Sequence, residues 1–251
     1  MLMTPLEQFQ ILSIFSVKLS CFDFSFTNMF LMSIIVIFFY YFILINISSD
    51  DGSLFLVPNN WQILFETVVN TISQLLFDNL NKSGEIYFPF VFVIFVFILI
   101  LNLGGLIPYS FTVTSHLIIT CTLSFSIFIG VNIICANIYK FEMLSLFIPS
   151  NTSFFLALLL VPIEFISYIF KPISLGVRLF ANLMAGHTLL KVIVGFSWSM
   201  LFADGIISFC HIFPLLVLIL LMGLELGVAL IQAYVFTILT CIFLNDAVNL
   251  H

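Results

Sequence analysis

Five ionisable side chains stand inside one long apolar stretch, Ser153–Gly195: Glu164, Lys171, Arg178, His187 and Lys191. A second such stretch, Gly205–Leu244, contains His211 and Glu225, with Asp204 at its edge and Asp246 just past its end. An ionisable residue at the centre of a membrane helix costs about 2.5–3.5 kcal/mol on insertion scales, so each marks a candidate functional position. Spacing sorts them. Glu164, Lys171 and Arg178 recur every seventh residue, which places each within about 20° of the last around an α-helix, in one charged stripe. Arg178 is the only arginine in the chain, and its neighbours on that stripe are small: Ser174, Ala181, Asn182 and Ala185. One cation among small residues lets another helix approach closely. The competing reading is an Arg–Glu pair buried within this protein.

The second stretch repeats the pattern. Glu225 and Gln232 share the same heptad spacing, and Asp246 lies three heptads beyond Glu225. Gly223 and Gly227 frame Glu225 in a GxxxG spacing, a common pattern and a weak signal by itself. His187 falls on the face of a straight helix opposite Arg178. It is either a hydrogen-bonded structural group or part of a proton relay, and the spacing leaves both open. Chemistry separates the roles. A guanidinium keeps its proton at any physiological pH, so Arg178 acts as a fixed charge, a barrier or an anion partner. Glu164, His187, Glu225 and Asp246 can exchange protons and are the candidate carriers. No nucleotide loop, metal-ligand spacing or nucleophile triad accompanies them. The expectation is a protein with no catalytic site of its own and no cofactor, handling the energy of ions that cross a membrane.

The elements that must position these residues follow from composition. Hydrophobic residues make up 63% of 251 and charged residues 7%, against about 45–50% and 25% in soluble domains. With a mean hydropathy of +1.29, the chain is an integral membrane protein. The predicted fold is an all-α polytopic bundle, a single membrane domain over 1–251. Spans are expected at 27–46, 86–103 and 116–139, with an interfacial amphipathic helix at 60–80 whose Trp61 sits near the headgroups. As single helices, 153–195 and 205–244 would be about 64 and 60 Å long, twice a hydrocarbon core of roughly 30 Å. Each is a hairpin or one long, steeply tilted helix. Pro162, Pro172 and Pro214 offer breaks, but no polar turn interrupts either stretch, which favours the long helices. Polar segments at 48–53, 104–110 and 140–150 separate the elements.

Other classes are weakened. Six basic residues that never cluster exclude nucleic acid as a partner. The five cysteines form no CxxC pair and read as small apolar residues. The first ten residues lack the marks of a signal or transit peptide, so synthesis within the compartment of use is expected. Phenylalanine at 33 residues fits an AT-rich coding genome. Lys18, Lys82 and Lys140 orient the chain only weakly, with 48–85 and 140–150 on the inner side. A secondary transporter would be expected to show repeats or a substrate pocket with short broken helices, and neither appears. A structural scaffold needs no charges in its helices.

The stretches SLGVRLFANLMAGHTLLK (174–191) and LELGVALIQAYVFTILTCIFLNDAVNLH (224–251) strongly resemble subunit a of the F-type ATP synthase. NLGGLIPYSFTVTSHL (102–117) and TPLEQFQI (4–11) are similar to its mitochondrial branch, especially plant and protist forms. The resemblance spans almost the whole chain. It implies two long tilted helices against the rotating ring of c subunits, with Arg178 facing the ring carboxylates. Asn182, His187, Glu225 and Gln232 would line the half-channel to the intermembrane space, and Glu164 and Asp246 the matrix half-channel. His187 and Glu225 match the mitochondrial order; many bacterial members exchange the two residue types. Also implied are the mitochondrial inner membrane, organelle encoding, peripheral-stalk and small membrane subunits as partners, and a bilayer in which cardiolipin is a candidate lipid.

Overall fold

A backbone surrounded by hydrocarbon must satisfy its own N–H and C=O groups, and an uninterrupted apolar run does so by coiling into an α-helix. The computed structural model describes residues 7–19, 22–47, 59–107, 111–140, 154–202 and 210–248. The polar segment 48–53, positions 108–110 and 141–150 of the expected connections, and Asp204 lie outside the described residues. Among the described residues, six α-helices follow one another: α1 (Asn28–Ile47), α2 (Asn60–Leu80), α3 (Phe88–Gly105), α4 (Leu117–Tyr139), α5 (Phe154–Leu201) and α6 (Ile212–Val248). Among the described residues, four helices are long and apolar enough to cross a membrane, and α1 adds the shorter apolar run Asn28–Phe42. The protein is an all-α polytopic membrane bundle.

Ahead of α1 the all-α expectation needs one addition. β1 (Ser13–Phe15) pairs antiparallel with β4 (Phe26–Thr27), and β2 (Lys18–Leu19) with β3 (Phe22–Asp23). Asn28 ties this segment to α1. Its Oδ1 accepts from the Leu12 amide at 3.2 Å, and its Nδ2 donates to the Gln10 carbonyl at 3.1 Å.

The choice between hairpins and long helices is settled by α5 and α6, each continuous over 48 and 37 residues. At 1.5 Å per residue they are about 72 and 56 Å long. Pro162 and Pro172 lie inside α5 without ending it; membrane helices tolerate proline where neighbours satisfy the freed carbonyls. Pro214 stands in the first turn of α6, where its missing N–H has no intrahelical role. Both helices run past the expected ends, α5 beyond Gly195 to Leu201 and α6 through Asn245 and Asp246 to Val248. α4 ends as Lys140 turns to a positive φ of 50°, the left-handed conformation that closes many helices.

Packing divides the chain into two compact units. One comprises Met1–Asn46, Phe97–His116 and Leu179–Ala233; the other comprises Ile47–Val96, Leu117–Arg178 and Tyr234–His251. In the second unit, α4 buries Thr120, Ser124, Ile127, Val131 and Cys135 at helical spacing. α2 likewise buries Ile72, Leu75, Leu76 and Leu80. Here α5 meets α4 through Gly176. A Cβ at that position would stand 2.8 Å from Ser124 Oγ, 3.0 Å from the Thr120 carbonyl oxygen and 3.1 Å from Cys121 Cα. Only the absence of a side chain permits backbone so close.

Gly176→Ala should therefore cost about 1–3 kcal/mol of packing strain, and Gly176→Leu should sharply lower the amount of assembled protein. Gly130, with nothing within 4 Å of an added Cβ, is the control. The measurement is recovery in the native complex after mild detergent extraction; equal yields for Gly176→Leu and Gly130→Ala would contradict the contact.

Candidate functional site

Four of the residues singled out by spacing meet in the first unit. Asn182 and His187 come from α5, Glu225 and Gln232 from α6, and they line one cavity of about 20 Å³. Asn182 Nδ2 donates to Gln232 Oε1 at 3.0 Å. Gln232 is buried, whereas Glu225 and His187 are half-buried. The His187 ring has a backbone hydrogen-bond partner at Gly105 and meets Phe9 edge-on, with centroids 6.3 Å apart. Gly186 supplies the room for Glu225, since a Cβ there would lie 2.8 Å from Glu225 Oε1 and 3.0 Å from its Cδ. The heptad of Glu225 and Gln232 on α6 thus opposes Asn182 and His187 on α5.

One lining residue escaped the search for charges. Asn102 is fully buried, and its Nδ2 approaches the Ala229 carbonyl at 3.4 Å. Its signal was nonetheless present. Asn102 is the sole polar side chain of α3, FPFVFVIFVFILILNLGG, and a lone amide in such a run calls for the same explanation as a charge.

The second unit holds the other candidates. Lys171 Nζ lies 3.6 Å from Asp246 Oδ2, joining α5 to the end of α6. The ammonium also stands 5.8 Å from the centroids of the Tyr168 and Phe243 rings, within cation–π range. Tyr168 donates to Asn132 Oδ1 at 2.7 Å, and the Tyr139 hydroxyl to the Val248 carbonyl. Glu164 is exposed. The sequence placed Asp246 on the side of Glu225; its partner in the fold is Lys171.

Arg178 is exposed, and so are Ser174, Ala181, Asn182 and Ala185 around it. Among the described residues, none covers the small-residue stripe and no glutamate buries the arginine.

The ATP synthase A chain family model matches residues 28–245, most of the chain. The chain belongs to the ATP synthase A chain family. Similar relatives are the ATP synthase subunit a of Pylaiella littoralis, 52% identical over 248 residues (99% of each chain), and that of Chondrus crispus, 47% identical over 248 residues (99% of this chain and 97% of the relative). That of Marchantia polymorpha is 44% identical over 251 residues, covering 99% of both. As a member of this family it is a multi-pass subunit of the enzyme's membrane sector, connected with ATP synthesis and proton transport. All the site residues except Asp246 fall inside the matched range.

The Gly186 contact generates a sharp expectation. Because the atoms an added methyl would meet belong to the end of a flexible side chain, Gly186→Ala should leave the complex assembled but displace the Glu225 carboxylate. A misplacement near 1 Å can cost on the order of a hundredfold in a proton-transfer site, so proton-driven ATP synthesis per assembled complex should fall at least about tenfold. An unchanged rate would show that the carboxylate's position is not critical.

Proposed function

We propose that this chain is the proton-conducting stator subunit of the ATP synthase membrane sector in the mitochondrial inner membrane. It offers two offset half-channels to the carboxylates of a c-ring, so that proton flow turns the ring and drives ATP synthesis. The observation that carries the reading is the exposed Arg178 on an uncovered small-residue stripe. Family membership and the cavity lined by Asn182, His187, Glu225 and Gln232 support it.

Roles follow from chemistry and from order along α5. Asn182 and His187 come after Arg178 and, with Glu225 and Gln232, form the half-channel to the intermembrane space. Glu164 comes before it and, with Asp246, forms the matrix half-channel. A proton delivered through one route neutralises a ring carboxylate, and the neutral group can then enter lipid. After nearly a full turn the proton leaves by the other route. Arg178 between the routes keeps the facing carboxylate ionised and blocks direct passage. The barrier matters because one charge falling through 100 mV releases about 2.3 kcal/mol. Peripheral-stalk and other small membrane subunits, and lipid with cardiolipin as a candidate, would cover the remaining apolar surface.

Two experiments test this. Ala181→Cys should crosslink in native membranes to a small multi-copy membrane protein; crosslinks confined to this chain would contradict the partner.

Arg178 should also be irreplaceable by lysine. Lysine is a point charge that can shed its proton in a low-dielectric site, while arginine holds both its charge and a planar fork suited to a carboxylate. Arg178→Lys should abolish ATP synthesis, and Arg178→Ala should in addition leak protons. The measurement uses reconstituted vesicles stripped of the soluble ATPase sector, with a pH-sensitive dye under an imposed potential. Coupled synthesis by the lysine variant would refute the demand for arginine, and a proton-tight alanine variant would refute the barrier.

A further inference from the structure

Three polar atoms of the residues lining the cavity are buried without a hydrogen-bond partner from the protein: Asn102 Oδ1, Gln232 Nε2 and His187 Nε2. Their residues belong to three different helices, α3, α6 and α5. Asn102 is 0% and Gln232 5% exposed. Buried polar atoms are rarely left unpaired, because each costs about 1–3 kcal/mol. The set is complementary. The Asn102 carbonyl oxygen can only accept, the Gln232 amide nitrogen can only donate, and the imidazole nitrogen can do either according to its protonation. A cavity of about 20 Å³ has room for one water, which needs roughly 10–15 Å³ and two to four polar partners.

We propose that Asn102 is a positioning residue that holds one water molecule in this cavity, bridging His187 and Glu225. This rests on the proton-route reading above. The water accepts from Gln232 Nε2–H and donates one hydrogen to Asn102 Oδ1. One hydrogen and one lone pair then remain for the two titratable neighbours. When the Glu225 carboxyl gives up its proton, its O–H bond breaks and a new O–H forms on the water. The water's free hydrogen passes to His187 Nε2. Glu225 ends as carboxylate, His187 as imidazolium and the water neutral, and the reverse sequence returns the proton. Asn102 never takes the proton. Its oxygen keeps the water's other hydrogen turned away from the transfer line, and a fixed acceptor favours the transient positive charge on the water.

The test is ATP synthesis driven by an imposed proton gradient, per assembled complex, in membranes carrying variants at this position. Asn102→Leu keeps the side-chain branching but removes the acceptor and should lower the rate at least about tenfold. Wild-type synthesis in assembled Asn102→Leu would overturn the proposal. The isosteric pair Asn102→Thr and Asn102→Val separates the acceptor from packing, and decides also where the leucine variant does not assemble: the hydroxyl variant should be faster by about threefold or more, and equal rates would overturn the proposal. Glu225→Gln separates this proposal from the reading beneath it. If that variant assembles and still makes ATP at the normal rate, the proton route itself is wrong. If it stops synthesis while Asn102→Leu does not, only the role of Asn102 is lost.

Discussion

Hydrocarbon offers nothing for a polar group to bond to, and this absence governs where every polar side chain of the protein can stand. Tyr168 bonds Asn132, Asn182 bonds Gln232, and Lys171 stands beside Asp246 under two aromatic rings. The helical hydroxyls turn back on their own turns: Thr120, Ser124, Thr237 and Thr240 all donate to carbonyls three residues earlier. Orphaned side-chain atoms remain at Thr112, Thr114 and His116 as well, but those of Asn102, His187 and Gln232 belong to residues that line one cavity. Such a group destabilises the fold, and the cavity beside it supplies the reason to keep it.

The second constraint is backbone proximity. Two glycines of α5 serve it in different ways. Gly176 lets α5 lie against the α4 backbone, a contact of packing alone. Gly186 makes space for a carboxylate and so shapes the candidate proton site. Between them, Ala181 and Ala185 lie on the exposed face with Arg178. Small residues on one helix thus serve an internal contact, a site and an outward-facing surface, separated by their angle around the axis and their position along it.

Length is the third. α5 is far longer than a hydrocarbon core is thick, so one helix carries Glu164 and Lys171 ahead of Arg178 and Asn182 and His187 after it. A pair of short helices joined by a turn would break that single charged row. The two internal prolines are compatible with it because the fold, rather than local propensity, holds α5 together.

The apolar composition alone determined that this is a membrane protein of α-helices, since no other open structure satisfies its backbone in lipid. Heptad spacing alone determined that Glu164, Lys171 and Arg178 share a stripe and that small residues surround the arginine, because a helix converts separation in sequence into angle. Those two facts made the functional surface legible before any fold was known. Spacing could not show which helix faces which, because pairing depends on contacts between residues distant in sequence. So Asp246, in phase with Glu225 along α6, finds its partner in Lys171. Asn102, uncharged and alone in an apolar run, enters the site only because tertiary packing brings α3 against Ala229, more than a hundred residues away. The short strands before α1 were equally hidden, their pairing depending on a hairpin too brief to leave a period. Angle around a helix is local and readable; the neighbour at that angle is decided by the fold.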